Sequence, residues 1–332
     1  MLQRETIITP IAPFDFDLTL GVYASFRSQK VEIYLTGCFE RVLLEGGRSF
    51  LLTLRSMGTI EEPAVSISVF PPADDVKTSE IVTTVEWMLG ARESLQSFYE
   101  VAESDTALLA VVKRLRGLKP PRTPTVFEAL IIAILEQQVS LSAASTVRGR
   151  LAERFGQHMV CEGHQYVAFP TPEALSSAQF EELRALGVTP RKAFCILEIS
   201  KRVNEGGLDL ETLAREPFHE IMRDLNRLKG IGPWTVEYMM CRGMGRYDAL
   251  PANDTGLKAA VSRFYQTGGK PSEKTVRGIL DRLGQYKGYG AFYLIFAYSL
   301  EKYQFDPRIL RSQIANTPSE TKQSLFSNSL QY

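Results

Sequence analysis

A mainly α protein with an α+β domain at its N-terminal end is the fold class that these 332 residues predict. Three observations carry it. Glycine-punctuated apolar segments with strand character occupy residues 29–55, and another strand-like segment follows at 64–71. From about residue 104 the apolar spacing becomes i, i+3, i+4 and stays so. A hydrophobic content of 44% is enough for a sizeable core divided over two or three domains.

The strands come first. VEIYLTG, ERVLLE and SFLLTLRS, separated by Gly37 and the pair Gly46 and Gly47, read as a small antiparallel meander. AVSISVFP at 64–71 adds a strand closed by Pro71 and Pro72. In TSEIVTTVEWMLG, Ile81, Val85, Met88 and Leu89 share a helical face, with Thr78 or Ser79 as cap and Gly90 as stop. Residues 1–103 are therefore expected to be an antiparallel sheet domain with a helix. Helices are predicted over 106–116, 125–137, 140–155, 172–186, 190–204, 209–214, 217–228, 233–243, 254–265, 272–283 and 289–303. The breakers LKPPRTP, GVTP, EGGLD and TGGKPS separate several of them. Residues 104–306 should form a compact all-α core in two lobes, followed by a polar, serine-rich tail over 307–332.

Bulk features exclude several function classes. No apolar run reaches membrane-span length and MLQRETIITP lacks a secretory pattern, so a soluble cytoplasmic protein without membrane contact is expected. Cys38, Cys161, Cys195 and Cys241 lie far apart with no CxxC pair, which disfavours a zinc ribbon or disulfide framework. His158, His164 and His219 show no metal-ligand spacing. The net charge is zero, yet residues 61–110 carry ten acids and two bases whereas 222–302 carry thirteen bases and seven acids. A basic segment set against an acidic one can hide a nucleic-acid-binding face in a neutral total, although charge runs are more often plain solvated surface.

The most informative string is LKGIGPWTVEYM, 228–239. Gly230 and Gly232 flank Ile231 in a turn between two helices, and glycine permits positive φ and close backbone approach. Pro233 suits the first helical position, where no amide hydrogen is needed. The helix N-terminus adds partial positive charge, so an anion can be held without a charged side chain. Taken alone, a GxG is an ordinary tight turn. With both flanking helices, the whole string is the pattern of a helix-hairpin-helix element that grips a DNA phosphate.

LKGIGPWTVEYM followed by LPANDTGLKAAV resembles the helix-hairpin-helix (HhH-GPD) DNA glycosylases, most of all the bacterial 3-methyladenine DNA glycosylase II type. PFDFDLTLGVYASF near the start is similar to that family's aromatic opening, and ILEQQVSLSAA at 134–144 to its minor-groove element. The resemblance implies hydrolysis of the N-glycosidic bond of alkylated purines in double-stranded DNA, as in base excision repair, by a monomer requiring no cofactor. By position, Asp254 is the catalytic aspartate, stabilising an oxocarbenium-like sugar. A carboxylate at a helix start is also simply a cap worth about 1 kcal/mol, and Asp254 taken alone reads that way.

Further roles follow by position. Trp234 stands where strand-cleaving members place a lysine nucleophile, so a monofunctional enzyme without lyase activity is expected. Trp234, Tyr238 one turn later, and Tyr289 would line the base pocket; core packing is the alternative for each. An aromatic cage attracts a cationic base by about 0.5–2 kcal/mol per ring. Gln138 stands at the minor-groove wedge, where a leucine can occur, and a helix-end amide satisfying backbone groups is its other reading. Gly230, Gly232 and Thr235 would contact phosphates, and the carbonyls of Asn226, Leu228 and Ile231 would hold a structural sodium or potassium ion. No cysteine lies beyond Cys241, so the iron–sulfur loop of some relatives cannot form. Excision of an oxidised, deaminated or mismatched base is the alternative within the superfamily, and a non-catalytic DNA-binding protein the alternative outside it.

Overall fold

The computed structural model describes residues 5–22, 31–35 and 37–309. The expected tail beyond 309 and residues 23–26 of the aromatic opening lie outside these. Strands β1 (Thr6–Ile8), β2 (Glu32–Leu35), β3 (Cys38–Glu45), β4 (Arg48–Ser56) and β5 (Val65–Phe70) form one antiparallel sheet in the order β1-β5-β4-β3-β2. The β3–β4 turn pairs Glu45 with Arg48 around Gly46 and Gly47 at φ 57° and 74°. Positive φ at both turn residues matches the twist of the strands, which is why two glycines stand there. Helix α1 (Phe16–Gly21) precedes β2, and α2 (Asp75–Leu89) lays Ile81, Val85 and Met88 against Phe39, Phe50 and Leu52 of the sheet.

The helices are α3 (Gln96–Ala102), α4 (Thr106–Arg114), α5 (Val126–Glu136), α6 (Leu141–Phe155), α7 (Pro172–Ser176), α8 (Phe180–Ala185), α9 (Pro190–Asn204), α10 (Leu210–Leu213), α11 (Phe218–Asn226), α12 (Pro233–Gly243), α13 (Thr255–Tyr265), α14 (Glu273–Leu280) and α15 (Lys287–Tyr303). A 3-10 helix, Asp281–Tyr286, leads into α15. These helices build two cores, as the two-lobe reading expects. One surrounds the almost wholly apolar α5 with α6, α9, α11 and α12. The other gathers α4, α13, α14 and α15, and also Phe98 and Ala102 of α3. The expected boundary at 103 thus falls between α3 and α4, both of which pack into the second helical core.

Two departures from the sequence reading have local causes. Between α6 and α7 a hairpin, β6 (His158–Cys161) and β7 (His164–Val167), interrupts the helical run around Glu162 and Gly163 at φ 50° and 80°. Its four-residue strands are too short for a periodic signal, and they pack Cys161 and Tyr166 on Val42 and Leu51 of the large sheet. The single helix expected over 172–186 is two short helices, α7 and α8, each with its own cap at Thr171 and Gln179. A buried ionic network fastens the sheet to the α5 core. Arg41 of β3 binds Glu128 of α5 at 2.9 Å and Glu32 of β2 at 3.5 Å, and Arg148 of α6 also pairs with Glu32.

Candidate active site

Two chain segments meet at Asp254. The first is the hairpin. Helix α11 ends at Asn226, the Ile231 amide closes a turn onto the Leu228 carbonyl at 3.1 Å, and α12 opens at Pro233 with Gly232 as its N-cap residue. The two glycines serve different ends. Gly230 sits at φ 97°, and a Cβ there would meet the Cys195 sulfur at 3.0 Å, so the fold itself requires glycine. Gly232 has extended backbone, φ −115° and ψ 174°, and an added Cβ would meet nothing within 4 Å. Its lack of a side chain keeps the surface bare for an approaching group. Among the described residues no acceptor takes the amides of Gly230, Gly232 or Trp234. Unpaired donors at a helix N-terminus are what an anion-binding turn requires. Lys229 in the turn is exposed and has no acidic partner among the described residues.

The second segment is the loop after Tyr247. Its turn closes through the Asp254 amide on the Pro251 carbonyl at 2.9 Å, and Asp254 then caps α13, Oδ1 accepting the Leu257 amide at 2.8 Å. Both readings of this residue hold at once, because the cap uses only one carboxylate oxygen. Oδ2 accepts the indole N–H of Trp234 at 3.1 Å, joining hairpin helix to loop. Gly256 is the reason the carboxylate fits: a Cβ there would lie 3.1 Å from Oδ1. Arg277 of α14 secures the loop, donating to the Leu250 carbonyl at 3.2 Å while bound to buried Glu237 of α12 at 2.9 and 3.1 Å.

Trp234 and Tyr238, one turn apart on α12, have ring centroids 5.4 Å apart and are both partly exposed. The Tyr238 hydroxyl and the carboxyl of Glu136, the last residue of α5, act on each other's titration. Burial pushes the Glu136 carboxyl up to about 7; the Tyr238 hydroxyl, Arg242 and Lys192 pull it down, and Asp254 pushes it further up. Lys192 of α9 donates to the Leu135 carbonyl at 2.7 Å, covering the C-terminus of α5.

Two expected site residues are placed elsewhere. Tyr289 is 5% exposed, packed 4.1 Å from the Tyr247 ring and 5.2 Å from Phe98, with its hydroxyl on Glu93. It belongs to the second helical core, because the first turn of α15 is buried there. Thr235 is 2% exposed, its amide bonded to Gly232 and its hydroxyl accepting Gln137 Nε2 at 2.8 Å, so neither group turns outward to a phosphate. Gln138 is exposed at φ 55°, an uncommon conformation for a side-chain-bearing residue, with exposed Val139 and Leu141 beside it. At the expected cation position, the Leu228 carbonyl carries the turn bond, while those of Asn226 and Ile231 accept none from the described residues.

Gln137 is the residue the sequence reading passed over. Its amide reaches from the end of α5 to the Gly230 carbonyl at 3.0 Å and to Thr235, locking the hairpin to the protruding 138–141 segment. The signal was the doubled glutamine of ILEQQV, in which only the second was weighed. Glu136, the residue before it, and Gly256, two residues after Asp254, were equally open to inspection.

Comparison with known proteins agrees with this geometry. Residues 131–285, from α5 through the 3-10 helix, match the HhH-GPD superfamily of base excision DNA repair proteins. The chain is 25% identical over 288 residues to a DNA-3-methyladenine glycosylase of Bacillus subtilis (strain 168), covering 87% of this chain and 95% of the relative. It is 30% identical over 162 residues to DNA-3-methyladenine glycosylase 2 of Escherichia coli (strain K12), 47% of this chain and 56% of that one. Among solved structures, the 3-methyladenine DNA glycosylase of Archaeoglobus fulgidus superposes with a TM-score of 0.79 at 25% identity, covering 88% of this chain and 98% of its own. The Schizosaccharomyces pombe glycosylase Mag1, solved with abasic DNA, superposes with a TM-score of 0.55 at 25% identity over 63% of this chain and 98% of its own. By its hairpin, its capping aspartate and these comparisons, the chain is similar over residues 131–285 to the HhH-GPD superfamily of base excision DNA repair proteins.

Proposed function

We propose that this protein is a monofunctional DNA glycosylase that releases alkylated purines of the 3-methyladenine and 7-methylguanine type from duplex DNA. The observation that carries the reading is the 3.1 Å hydrogen bond from Trp234 to Asp254, which couples an aromatic face on the hairpin helix to the carboxylate. Alkylation at a ring nitrogen makes the base cationic, so it departs with the electron pair of the C1′–N bond and becomes neutral. The deoxyribose left behind is an oxocarbenium ion, and the Asp254 carboxylate stabilises it until water adds at C1′ and loses a proton. The base must first leave the stack, at a cost of a few kcal/mol that is smaller at a damaged pair.

The free amides at Gly230, Gly232 and Trp234 would hold a backbone phosphate, with exposed Lys229 adding charge. Gln138, projecting at φ 55° with Val139 and Leu141, would fill the gap left by the extruded base. The unengaged carbonyls of Asn226 and Ile231, with that of Leu228, suit a hard monovalent cation that would stiffen the turn and offset phosphate charge. A tryptophan at 234 offers no amine for attack on the sugar, so water is the nucleophile. Incubation with a duplex carrying one alkylated purine tests this: a free base and an intact abasic strand are expected. A nicked strand that borohydride traps on the protein would overturn the water mechanism and direct attention to Lys258, whose amine contacts Asn253 at 2.6 Å beside Asp254.

A further inference from the structure

Asp254 rides on a turn whose place in the molecule is set from outside. Within the turn the Ala252 amide donates to the Leu250 carbonyl at 2.7 Å and the Asp254 amide to the Pro251 carbonyl at 2.9 Å. Those bonds shape the turn without fixing where it lies. Arg277 of α14 supplies the outside hold. Its Nη1 donates to the Leu250 carbonyl at 3.2 Å, and among the described residues no other side chain bonds to the backbone of residues 250–253. Nη2 donates to both oxygens of the Glu237 carboxylate at 2.9 and 3.1 Å. Nη2 and Nε also reach Oε1 of Glu273, one turn earlier on α14, at 2.9 and 3.1 Å. One planar fork thus joins α12, α14 and the turn. Glu237 is the buried end of this clasp, 3% exposed and three residues after Trp234 on α12. The helix that carries Trp234 and Tyr238 therefore locates the carboxylate twice. It does so directly through the Trp234 indole, and indirectly through Glu237, Arg277 and Leu250.

We propose that Arg277 is a positioning residue for base release: by tying Leu250 to Glu237 it holds the Asp254 carboxylate where its charge acts on the sugar. This rests on the glycosylase reading of the same site. An ion pair between two helices would need only the charge of Arg277. Holding the turn as well needs the shape of the guanidinium, because Nη1 and Nη2 serve different partners. Lysine separates the two requirements. Its single ammonium keeps a positive charge beside Glu237 and Glu273 but cannot stand at both nitrogen positions. Removing the charge outright would strand buried Glu237, so Arg277→Met is combined with Glu237→Gln, which leaves no unpaired buried charge.

Single-turnover release of 3-methyladenine from a duplex, with the full-length protein in excess at several concentrations, separates the limiting rate from the half-saturating concentration. Arg277→Lys is expected to lower the limiting rate about tenfold, the scale of a sub-ångström misplacement at a reacting centre. The half-saturating concentration should stay within about twofold, because no DNA contact is removed. The melting temperature should fall by no more than a few degrees, because the ion pair is kept. The double variant Arg277→Met with Glu237→Gln should lose rate to a similar extent. In a protein already carrying Asp254→Asn, Arg277→Lys should change the rate by less than about twofold, since no carboxylate charge remains to be placed. A merely structural residue would lower the rate equally in both backgrounds, and that outcome would overturn the proposal. So would a limiting rate within about threefold of wild type in Arg277→Lys or in the double variant. A loss carried by the half-saturating concentration instead of the limiting rate would overturn it as well. A wild-type protein that releases no base would instead count against the glycosylase reading itself.

Discussion

Replacing Asp254 by asparagine separates the two tasks of this residue. The side chain keeps its size but has one acceptor oxygen where the carboxylate has two, both engaged: Oδ1 by the Leu257 amide at 2.8 Å and Oδ2 by the Trp234 indole at 3.1 Å. Asparagine can serve one donor and must turn its NH2 toward the other. The folded state should lose about 1–2 kcal/mol, the cost of one partly buried unsatisfied donor. The chemical step should lose much more. A carboxylate about 4 Å from a developing sugar cation is worth about 4 kcal/mol at an effective dielectric constant near 20, which is about three orders of magnitude in rate. Single-turnover release of 3-methyladenine, thermal melting and binding to an undamaged duplex should be measured on the same preparation. The expected result is a rate lower by about 1,000-fold, a small drop in melting temperature and DNA affinity within a few-fold of wild type. A variant that melts earlier but keeps its rate to within about threefold would reduce Asp254 to a helix cap and refute the electrostatic reasoning.

The glycine pair gives a contrast within one turn. Gly232→Val should leave stability within about 0.5 kcal/mol, since the extended backbone tolerates a β-branched residue and the Cβ meets open space. It should weaken binding to every duplex and reduce the salt dependence by about one phosphate contact. Gly230→Ala should instead lower the melting temperature, because it forces alanine to φ 97° against Cys195. Gln137→Ala removes two hydrogen bonds of 3.0 and 2.8 Å between α5 and the hairpin, and should cost about 2 kcal/mol of stability. Its turnover should fall with both cationic and neutral bases, measured as kcat/KM on each.

Much of the site was legible because its chemistry is local. The hairpin string, the proline at N1 and the aspartate before a helix each announce themselves within a dozen residues, and Trp234 and Tyr238 share a face by helical spacing alone. The helices of the core were equally plain, since long i, i+3, i+4 patterns admit few alternatives. What escaped depends on contacts between distant segments. Nothing in YKGYGAFY tells that Tyr289 turns inward to Glu93 while Tyr286, three residues earlier, stays half-buried. Thr235 looked available to a phosphate until Gln137, nearly a hundred residues away, took its hydroxyl. The β6–β7 hairpin exists because it covers Val42 and Leu51, a demand made by the sheet and not by its own four-residue strands.

A binding measurement reaches the central claim most directly, because it reads the charge at 254 without turnover. Duplexes carrying a cationic pyrrolidine or a neutral tetrahydrofuran in place of the deoxyribose differ by one positive charge at the position of the departing base's sugar. A carboxylate facing that sugar predicts that the wild-type protein prefers the pyrrolidine duplex by about 100-fold or more and that Asp254→Asn abolishes the preference. Equal affinity of the wild-type protein for the two duplexes would contradict it.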